Sequence, residues 1–179
     1  MHPVTLSKLT RYAVICLSVT SSIGLMAQCN PEVLAETTPS QRFYTLDVTR
    51  VKDLKTGLMW QRCPVGARGV QCDQGLAQRM NWQQAQQQAP ATSDPYRWRL
   101  PTIKELPTLV EARCAMPAIN TDTFPATPSA KFWTSSSSEL NTNEAWFVDF
   151  ERGKTNDANQ LDRYFVRLVR TLRLEERTQ

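Results

Sequence analysis

Three segments in the C-terminal third of the chain are rich in aromatic and β-branched residues, which strands favour. They are FWTSS (132–136), AWFVDF (145–150) and RYFVRLVR (163–170), and polar residues 151–162 are typical of a surface loop. Two helical segments come earlier, without regular βαβ alternation. This order predicts an α+β fold with a mainly antiparallel twisted sheet and two short helices.

The segment from Phe43 to Gln61 predicts the first strands. FYTLDV (43–48) alternates as a strand does, and VKDLKTGLMWQ (51–61) is typical of two strands joined by a turn. Gly57 supplies the positive φ that a bulged hairpin loop needs.

Two helix starts can be recognised by their capping residues. Asn81 is suited to cap a helix over 82–89 that ends at Pro90. Thr102 and Glu105 have the spacing of a capping box. Pro107 lies in the second turn of that second helix, so we expect a bend or a late start there.

The N-terminus has the order of a secretory signal. Lys8 and Arg11 precede the uncharged run 12–27, which is too short and too rich in Ser and Thr for a comfortable membrane span. Cleavage is expected after Ala27 or, with Val33 at the −3 position, after Ala35. A retained anchor, a lipid-modified Cys29 and a buried N-terminal helix are the alternatives.

Export divides the chain into four parts. These are a signal peptide (1–27, with cleavage as late as 35), a polar leader or linker (28–42), one domain (43–173) and a polar tail (174–179). The expected location is the periplasm, the cell surface or the medium, with no stable membrane span in the mature form.

Export also makes disulfides the natural interpretation of the cysteines. Cys63 and Cys72 enclose a short glycine-containing loop and are the predicted pair. Cys114 is left to pair with Cys29, with another chain or with nothing, and spacing alone does not choose.

The residue types present in the mature chain argue against an enzyme. The only histidine is His2, inside the signal, so His-dependent nucleophilic triads and common zinc sites are not expected. A net charge of +4 is far from that of a dedicated nucleic-acid binder, so no nucleic acid is expected. Asp149 and Glu151 keep a carboxylate-dependent glycan hydrolase as a remote alternative.

No cofactor is predicted. Oxygen ligands that calcium would accept occur at Asn156, Asp157 and Asn159, but they do not match an EF-hand loop. Ordinary loop polarity is the preferred interpretation of these residues.

Basic residues offer the chemistry of anion binding. Arginine's planar fork suits sulfate, carboxylate or phosphate. We expect Trp98 to be buried in the core, with the arginines on either side of it facing solvent. The candidate ligand-binding residues are Arg97, Arg99, Arg152, Lys154 and Arg163.

Six ordered blocks resemble one known family. They are TGLMWQRC (56–63), WRLPTIKEL (98–106), PAIN (117–120), FWTSSS (132–137), AWFVDFERG (145–153) and FVRLVR (165–170). Together they resemble the Lcl C-terminal domain, the exported bacterial module named after the C-terminal domain of the Legionella collagen-like adhesin. The resemblance spans about residues 48–171.

This resemblance implies a C-type-lectin-like fold and the binding of sulfated polysaccharides. The chain has no collagen-like repeat, so trimer assembly is not implied, and a homo-oligomer stays open. It also lacks the late cysteine pair of formylglycine-generating enzymes. We therefore expect an exported, non-enzymatic, adhesin-like module for an anionic or sulfated glycan, or alternatively a structural component that binds an envelope protein.

Overall fold

The structure is a computed structural model that describes residues 27–30, 32, 35–88 and 97–177. Residues 1–26 of the expected signal lie outside this part of the chain. The strands are β1 (Gln28–Cys29), β2 (Phe43–Thr45), β3 (Arg50–Asp53), β4 (Leu58–Gln61), β5 (Ala67–Arg68), β6 (Gln74–Gly75), β7 (Cys114–Ala115), β8 (Lys131–Ser137), β9 (Glu144–Asp149), β10 (Lys154–Asn159) and β11 (Val169–Thr171). Antiparallel pairing of these strands, with two short α-helices, confirms the α+β class.

The first sheet has four strands in the order β11-β4-β3-β2. The predicted hairpin is confirmed, because β3 and β4 pair in antiparallel register and place Val51 opposite Trp60. Gly57 turns the chain between them at a φ of 70°. An added Cβ there would meet no atom within 4 Å, so the glycine serves the backbone conformation and not close packing.

The second sheet has three strands in the order β10-β9-β8, and it corrects one prediction. The polar segment after Phe150 is not simply a surface loop, because Lys154–Asn159 forms β10 and pairs with β9 along its whole length. An edge strand accepts polar residues, since one of its faces can be left to water. Gly153 turns the chain into β10 at a φ of 69°.

The first helix confirms its predicted start. α1 (Trp82–Gln86) begins after Asn81, whose side chain accepts a hydrogen bond from the Gln84 N–H at 2.9 Å. The Gln84 side chain accepts one from the Asn81 N–H at 3.1 Å, which completes a capping box. The helix ends at Gln86, earlier than Pro90 suggested.

The second helix does not lie where the sequence placed it. After Thr102 the chain forms only a 3-10 helix, Leu106–Leu109, because Pro107 has no N–H to continue an α-helix. The late start is thus confirmed, but the α-helix is not. The other α-helix, α2 (Leu174–Arg177), lies in the expected polar tail, where Glu176 accepts two hydrogen bonds of 2.6 Å from Arg170.

Two disulfides close the domain. Cys63–Cys72 is confirmed, with its sulfurs 2.05 Å apart. The partner of Cys114, which the sequence left open, is Cys29, 85 residues away. This bond joins β1 to β7, which pair in antiparallel register.

The expected leader, 28–42, contacts the domain at several points. The buried carboxylate of Glu111 accepts hydrogen bonds from the Thr38 N–H and hydroxyl, both at 2.7 Å, and from the Thr37 N–H. Arg113 pairs with Glu36 at 2.7 Å. The segment therefore lies against the loop that follows the 3-10 helix, although its composition is that of a linker.

Two hydrophobic clusters share the β8–β9 sheet. Phe132 and Val148 belong to one cluster, and their neighbours Trp133 and Phe147 belong to the other. Successive strand residues point to opposite faces, so each strand supplies both clusters. The sheet is therefore apolar on both sides around these four residues, whereas its edge strand β10 is mostly polar.

In the described part of the chain, four arginines are buried and bind main-chain oxygens: Arg42, Arg62, Arg167 and Arg170. Arg167 has no exposed surface and donates to the carbonyls of Gln61 and Arg62 and to the hydroxyl of Thr127. Burial, followed by the charge of Arg62, lowers the pKa of Arg167 to about 9, so its guanidinium stays charged at neutral pH. Some of these bonds, such as those to the carbonyls of Thr108 and Thr123, satisfy main-chain groups that lie outside the strands.

The two disulfides predict different losses of stability. Breaking Cys29–Cys114 with a double Ser substitution should lower the free energy of unfolding by about 4–5 kcal/mol, because it frees the longer loop of the unfolded chain. The matched Cys63 and Cys72 double variant should lose about 2–3 kcal/mol. Denaturant unfolding of the three proteins measures this order, and equal losses would contradict it.

Glu111 predicts a loss of stability in acid. Burial alone would raise the pKa of its carboxyl, but the hydrogen bonds from Thr38 and Thr37 together lower it below the ordinary 4.5. A lowered folded-state pKa means that the stabilisation is complete above pH 4.5 and is lost as the pH falls through the folded value.

We therefore expect Glu111→Gln to cost about 1–3 kcal/mol at neutral pH and to flatten the acid limb of the stability profile. Glu139→Gln, at an exposed site, is the control and should leave both unchanged. Urea unfolding between neutral and acidic pH measures the two profiles. Parallel acid limbs for wild type and Glu111→Gln would refute the assignment.

Candidate functional site

A cleft of about 290 Å³ opens at one end of the three-stranded sheet. We call it the sheet-end cleft. Its lining combines three basic side chains, two carboxylates and two aromatic rings: Arg79, Lys131, Arg163, Asp149, Glu151, Tyr164 and Phe165. Five charged side chains and one phenol therefore share one opening.

Strand register builds one wall of the sheet-end cleft. Lys131 of β8 lies opposite Asp149 of β9, which lies opposite Lys154 of β10. Directly opposed residues of antiparallel strands point to the same face, so the three side chains form a row across the sheet. The next residues on that face, Trp133 and Phe147, are buried in the core. The row therefore marks the point where this face changes from apolar to charged.

Aromatic rings position two of the cations. The Lys131 Nζ lies 4.6 Å from the ring centre of Phe147 and 5.1 Å from that of Tyr164. The Arg79 guanidinium lies 4.9 Å from the ring centre of Phe165. A cation over an aromatic face is stabilised without an anion, so both groups can be held here without a carboxylate partner.

Arg163 completes the cationic side of the cleft. Its Nη2 donates to the main-chain oxygen of Arg79 at 2.9 Å, which ties the two basic residues together across 84 positions of sequence. Among the described residues, no carboxylate lies within 4.0 Å of the charged nitrogens of Arg79, Lys131 or Arg163. By contrast, Arg99, Arg113 and several other arginines are paired with acids.

Tyr164 lies at the centre of the aromatic side. Its ring lies 4.4 Å from that of Trp133, centre to centre, and its hydroxyl donates to Asp162 Oδ2 at 2.9 Å. Burial, and then the hydrogen bond to Asp162, raise the pKa of Tyr164 to about 12. The phenol is therefore protonated at neutral pH, and Lys131 Nζ lies 3.5 Å from its oxygen.

The structure divides the five residues predicted to bind a ligand. Arg163 lines the sheet-end cleft, Lys154 lies in the charged row beside it, and Arg152 is in the β9–β10 turn, with Nε 3.6 Å from Glu151 Oε1. Arg97 and Arg99 are part of a different region, where Arg99 bridges to Val169. The candidates therefore do not form one site.

Arg99 has a structural partner. Its guanidinium donates to both carboxylate oxygens of Glu105, at 2.7 and 2.6 Å. The same carboxylate accepts from the Thr102 N–H at 2.8 Å, so the capping residue found in the sequence also fixes the arginine. Arg97 is exposed and has a φ of 51°, so the alternation of an extended segment does not apply to it.

Trp98 is less buried than expected. It is only partly covered, and the Arg170 guanidinium lies 5.6 Å from its ring centre. Of the other tryptophans, Trp60 and Trp133 are fully buried, whereas Trp146 is half-buried. Trp98 thus packs against the second hydrophobic cluster without being fully buried, unlike Trp60 and Trp133.

Sequence reasoning missed Arg79, Lys131 and Tyr164. Lys131 stands two residues before Trp133, so alternation along a strand places both on one face. The sequence carried this signal, but only the register of β9 shows that Lys131 lies opposite Asp149. Arg79 comes from a distant loop that meets the sheet end through the Met80–Tyr164 bridge and the hydrogen bond from Arg163, and local sequence does not show this.

The residues considered for calcium take another role. Asn156, Asp157 and Asn159 lie in β10, where pairing with β9 straightens the backbone that a cation loop would need to curl. Asp157 accepts a hydrogen bond from the Ser138 hydroxyl at 2.7 Å. Over the described residues there is no group of three or more His, Cys, Asp or Glu side chains arranged to hold a metal.

A second cleft of about 290 Å³ lies beside the Cys63–Cys72 loop. Among the described residues its lining is mostly apolar or main-chain, and Arg68 supplies the one charged side chain. It offers little to fix the orientation of a polar ligand. The sheet-end cleft is therefore the better candidate.

The fold and the cleft define a small α+β module that is closed by two disulfides. Residues 49–170 match the Lcl C-terminal domain, and since this is well over half of the chain, the protein belongs to that family. No curated protein and no solved structure matches the chain. The family and the disulfides suggest an exported, adhesin-like protein. No helix in the described ranges is long and apolar enough to cross a membrane.

Tyr164 gives a test of the cleft's electrostatics. Asp162→Asn removes the carboxylate charge, so the pKa of Tyr164 should fall from about 12 toward the ordinary 10.0. Because the pKa is raised in the fold, the stabilisation is complete below pH 10 and is lost as the pH rises toward 12. Ultraviolet titration of the phenols measures the change, with exposed Asp122→Asn as the control. An unchanged titration in Asp162→Asn would contradict the hydrogen bond.

Proposed function

We propose that this protein is an exported, non-enzymatic binding module that recognises an anionic or sulfated polysaccharide at the cell envelope or surface. We further propose that its α+β fold is a variant of the C-type-lectin-like fold. The family supports an adhesin-like role, and the sheet-end cleft supplies the chemistry for this kind of ligand.

One observation carries the proposal. Arg79, Lys131 and Arg163 converge on the cleft, and none of them has a carboxylate within ion-pair distance in the described part of the chain. Sulfate and carboxylate oxygens are natural acceptors for such groups. A ligand would therefore gain charge-assisted hydrogen bonds without first breaking an internal ion pair.

The remaining groups in the cleft suit the body of a sugar. Asp149 and Glu151 offer acceptors for hydroxyl groups, and Tyr164 offers a ring edge and a protonated phenol. The preferred ligand is therefore a saccharide that carries both anionic groups and free hydroxyl groups.

Binding to heparin tests the proposal. The affinity should fall as salt is raised, because exposed charges are screened. Lys131→Ala with Arg163→Ala should weaken binding about tenfold or more, a loss of at least about 1.4 kcal/mol. The control is Lys104→Ala with Arg68→Ala, which removes the same charge from exposed positions outside the cleft and should bind as wild type. Calorimetry measures all three proteins.

A further variant separates the cleft from the adjoining turn. Arg152→Ala with Lys154→Ala should weaken heparin binding less than the cleft variant, because Arg152 is near Glu151 and only Lys154 belongs to the charged row. Circular dichroism and thermal unfolding check that each variant folds. Equal affinity of the cleft variant, its control and wild type, or binding unaffected by salt, would overturn the proposal.

The same proteins distinguish the two rival functions. Recovery of one stoichiometric protein from an envelope extract, with no glycan binding, would favour a structural component. Release of reducing ends from a glycan, abolished by Asp149→Asn or Glu151→Gln, would favour a hydrolase. The proposal predicts neither result.

A further inference from the structure

We infer that the export signal is cut between Ala27 and Gln28 and not after Ala35, so that the mature chain keeps Cys29 as a permanent part of the fold. The inference rests on the proposed export. It adds the processing site, which the sequence left open between two positions.

The first support is the structural role of the residues between the two cuts. Gln28 and Cys29 form β1 and pair with Ala115 and Cys114. The N–H of Asn30 donates to the Arg113 carbonyl at 2.7 Å. Cleavage after Ala35 would remove this strand, although it is bonded to the domain by its backbone and by a disulfide.

The second support is the fate of Cys114. Its side chain is only 9% exposed and its sulfur is bonded to Cys29. A chain that began at Glu36 would carry an odd number of cysteines, since Cys63 and Cys72 are already paired. An unpaired thiol is a liability in an oxidising compartment. Cleavage after Ala27 leaves four cysteines and two disulfides.

The third support excludes a lipid anchor on Cys29. A thioether to a lipid and a disulfide to Cys114 use the same sulfur atom, so the two cannot coexist. Gln28 also stands where a lipoprotein signal requires a small residue. The disulfide and the local sequence therefore favour a mature chain without acylation.

Two matched substitutions test the cut. Signal cleavage requires a small residue just before the cut, so Ala27→Leu should block processing of the full chain and leave a membrane-associated precursor. Ala35→Leu, at an exposed position, should be processed as wild type. Cell fractionation and intact-mass measurement follow each protein during export from a bacterial host.

The mass of the exported wild type gives the second readout. We expect residues 28–179, with or without loss of one ammonia through cyclisation of the N-terminal glutamine. No thiol should react with an alkylating reagent before reduction, and four should react after it.

An exported chain that begins after Cys29, one whose Cys114 is alkylated without reduction, or one with an acylated Cys29 would overturn this inference and leave glycan binding intact. An unprocessed chain in the cytoplasm would overturn export as well. If a correctly processed chain does not bind heparin, this result would count against the proposed function alone.

Discussion

Hydrogen bonds from buried arginines to main-chain oxygens hold together a domain that has little regular structure. Long stretches between the strands are irregular, and their carbonyl groups cannot be buried without donors. Arg167 supplies donors to the end of β4, and Arg62 supplies one to the Thr123 carbonyl at 3.2 Å. Arg42 reaches the Thr108 carbonyl while it pairs with Asp53. Arginine is suited to bind several main-chain oxygens at once because its five N–H donors lie in a fixed plane.

The arginines of this domain have two different roles, and this difference explains how the sheet-end cleft arises. The C-terminal segment 165–170 is buried at every residue, and Tyr164, just before it, exchanges main-chain hydrogen bonds with Met80 of the distant loop. That contact delivers Arg79 to the end of the sheet. Arginines with buried guanidinium groups stabilise the fold, whereas Arg79 and Arg163 at the cleft have no acid within ion-pair reach in the described chain. The cleft is thus a place where charge is left available because the fold does not use it.

Local sequence signals predicted turns and helix starts correctly where a single residue sets the backbone conformation. Gly57 marked the hairpin turn, and Asn81 marked the start of α1. A prediction was wrong where the conformation of a segment depends on a partner strand. β10 is polar and was interpreted as a loop, because its stability comes from pairing with β9 and not from its own side chains. The ligand-binding role of Arg99 stays a prediction, and the structure adds that Glu105, which also accepts from the Thr102 N–H, binds its guanidinium.

The sequence by itself determined the α+β class, the family, the Cys63–Cys72 bond and the general expectation of anion-binding arginines. These rest on local pattern, short loops and composition, which need no knowledge of distant contacts. Only the tertiary structure decided the Cys29–Cys114 bond, which joins residues 85 positions apart, and the row of Lys131, Asp149 and Lys154. Strand register and loop closure set those contacts, and both depend on how the whole chain packs.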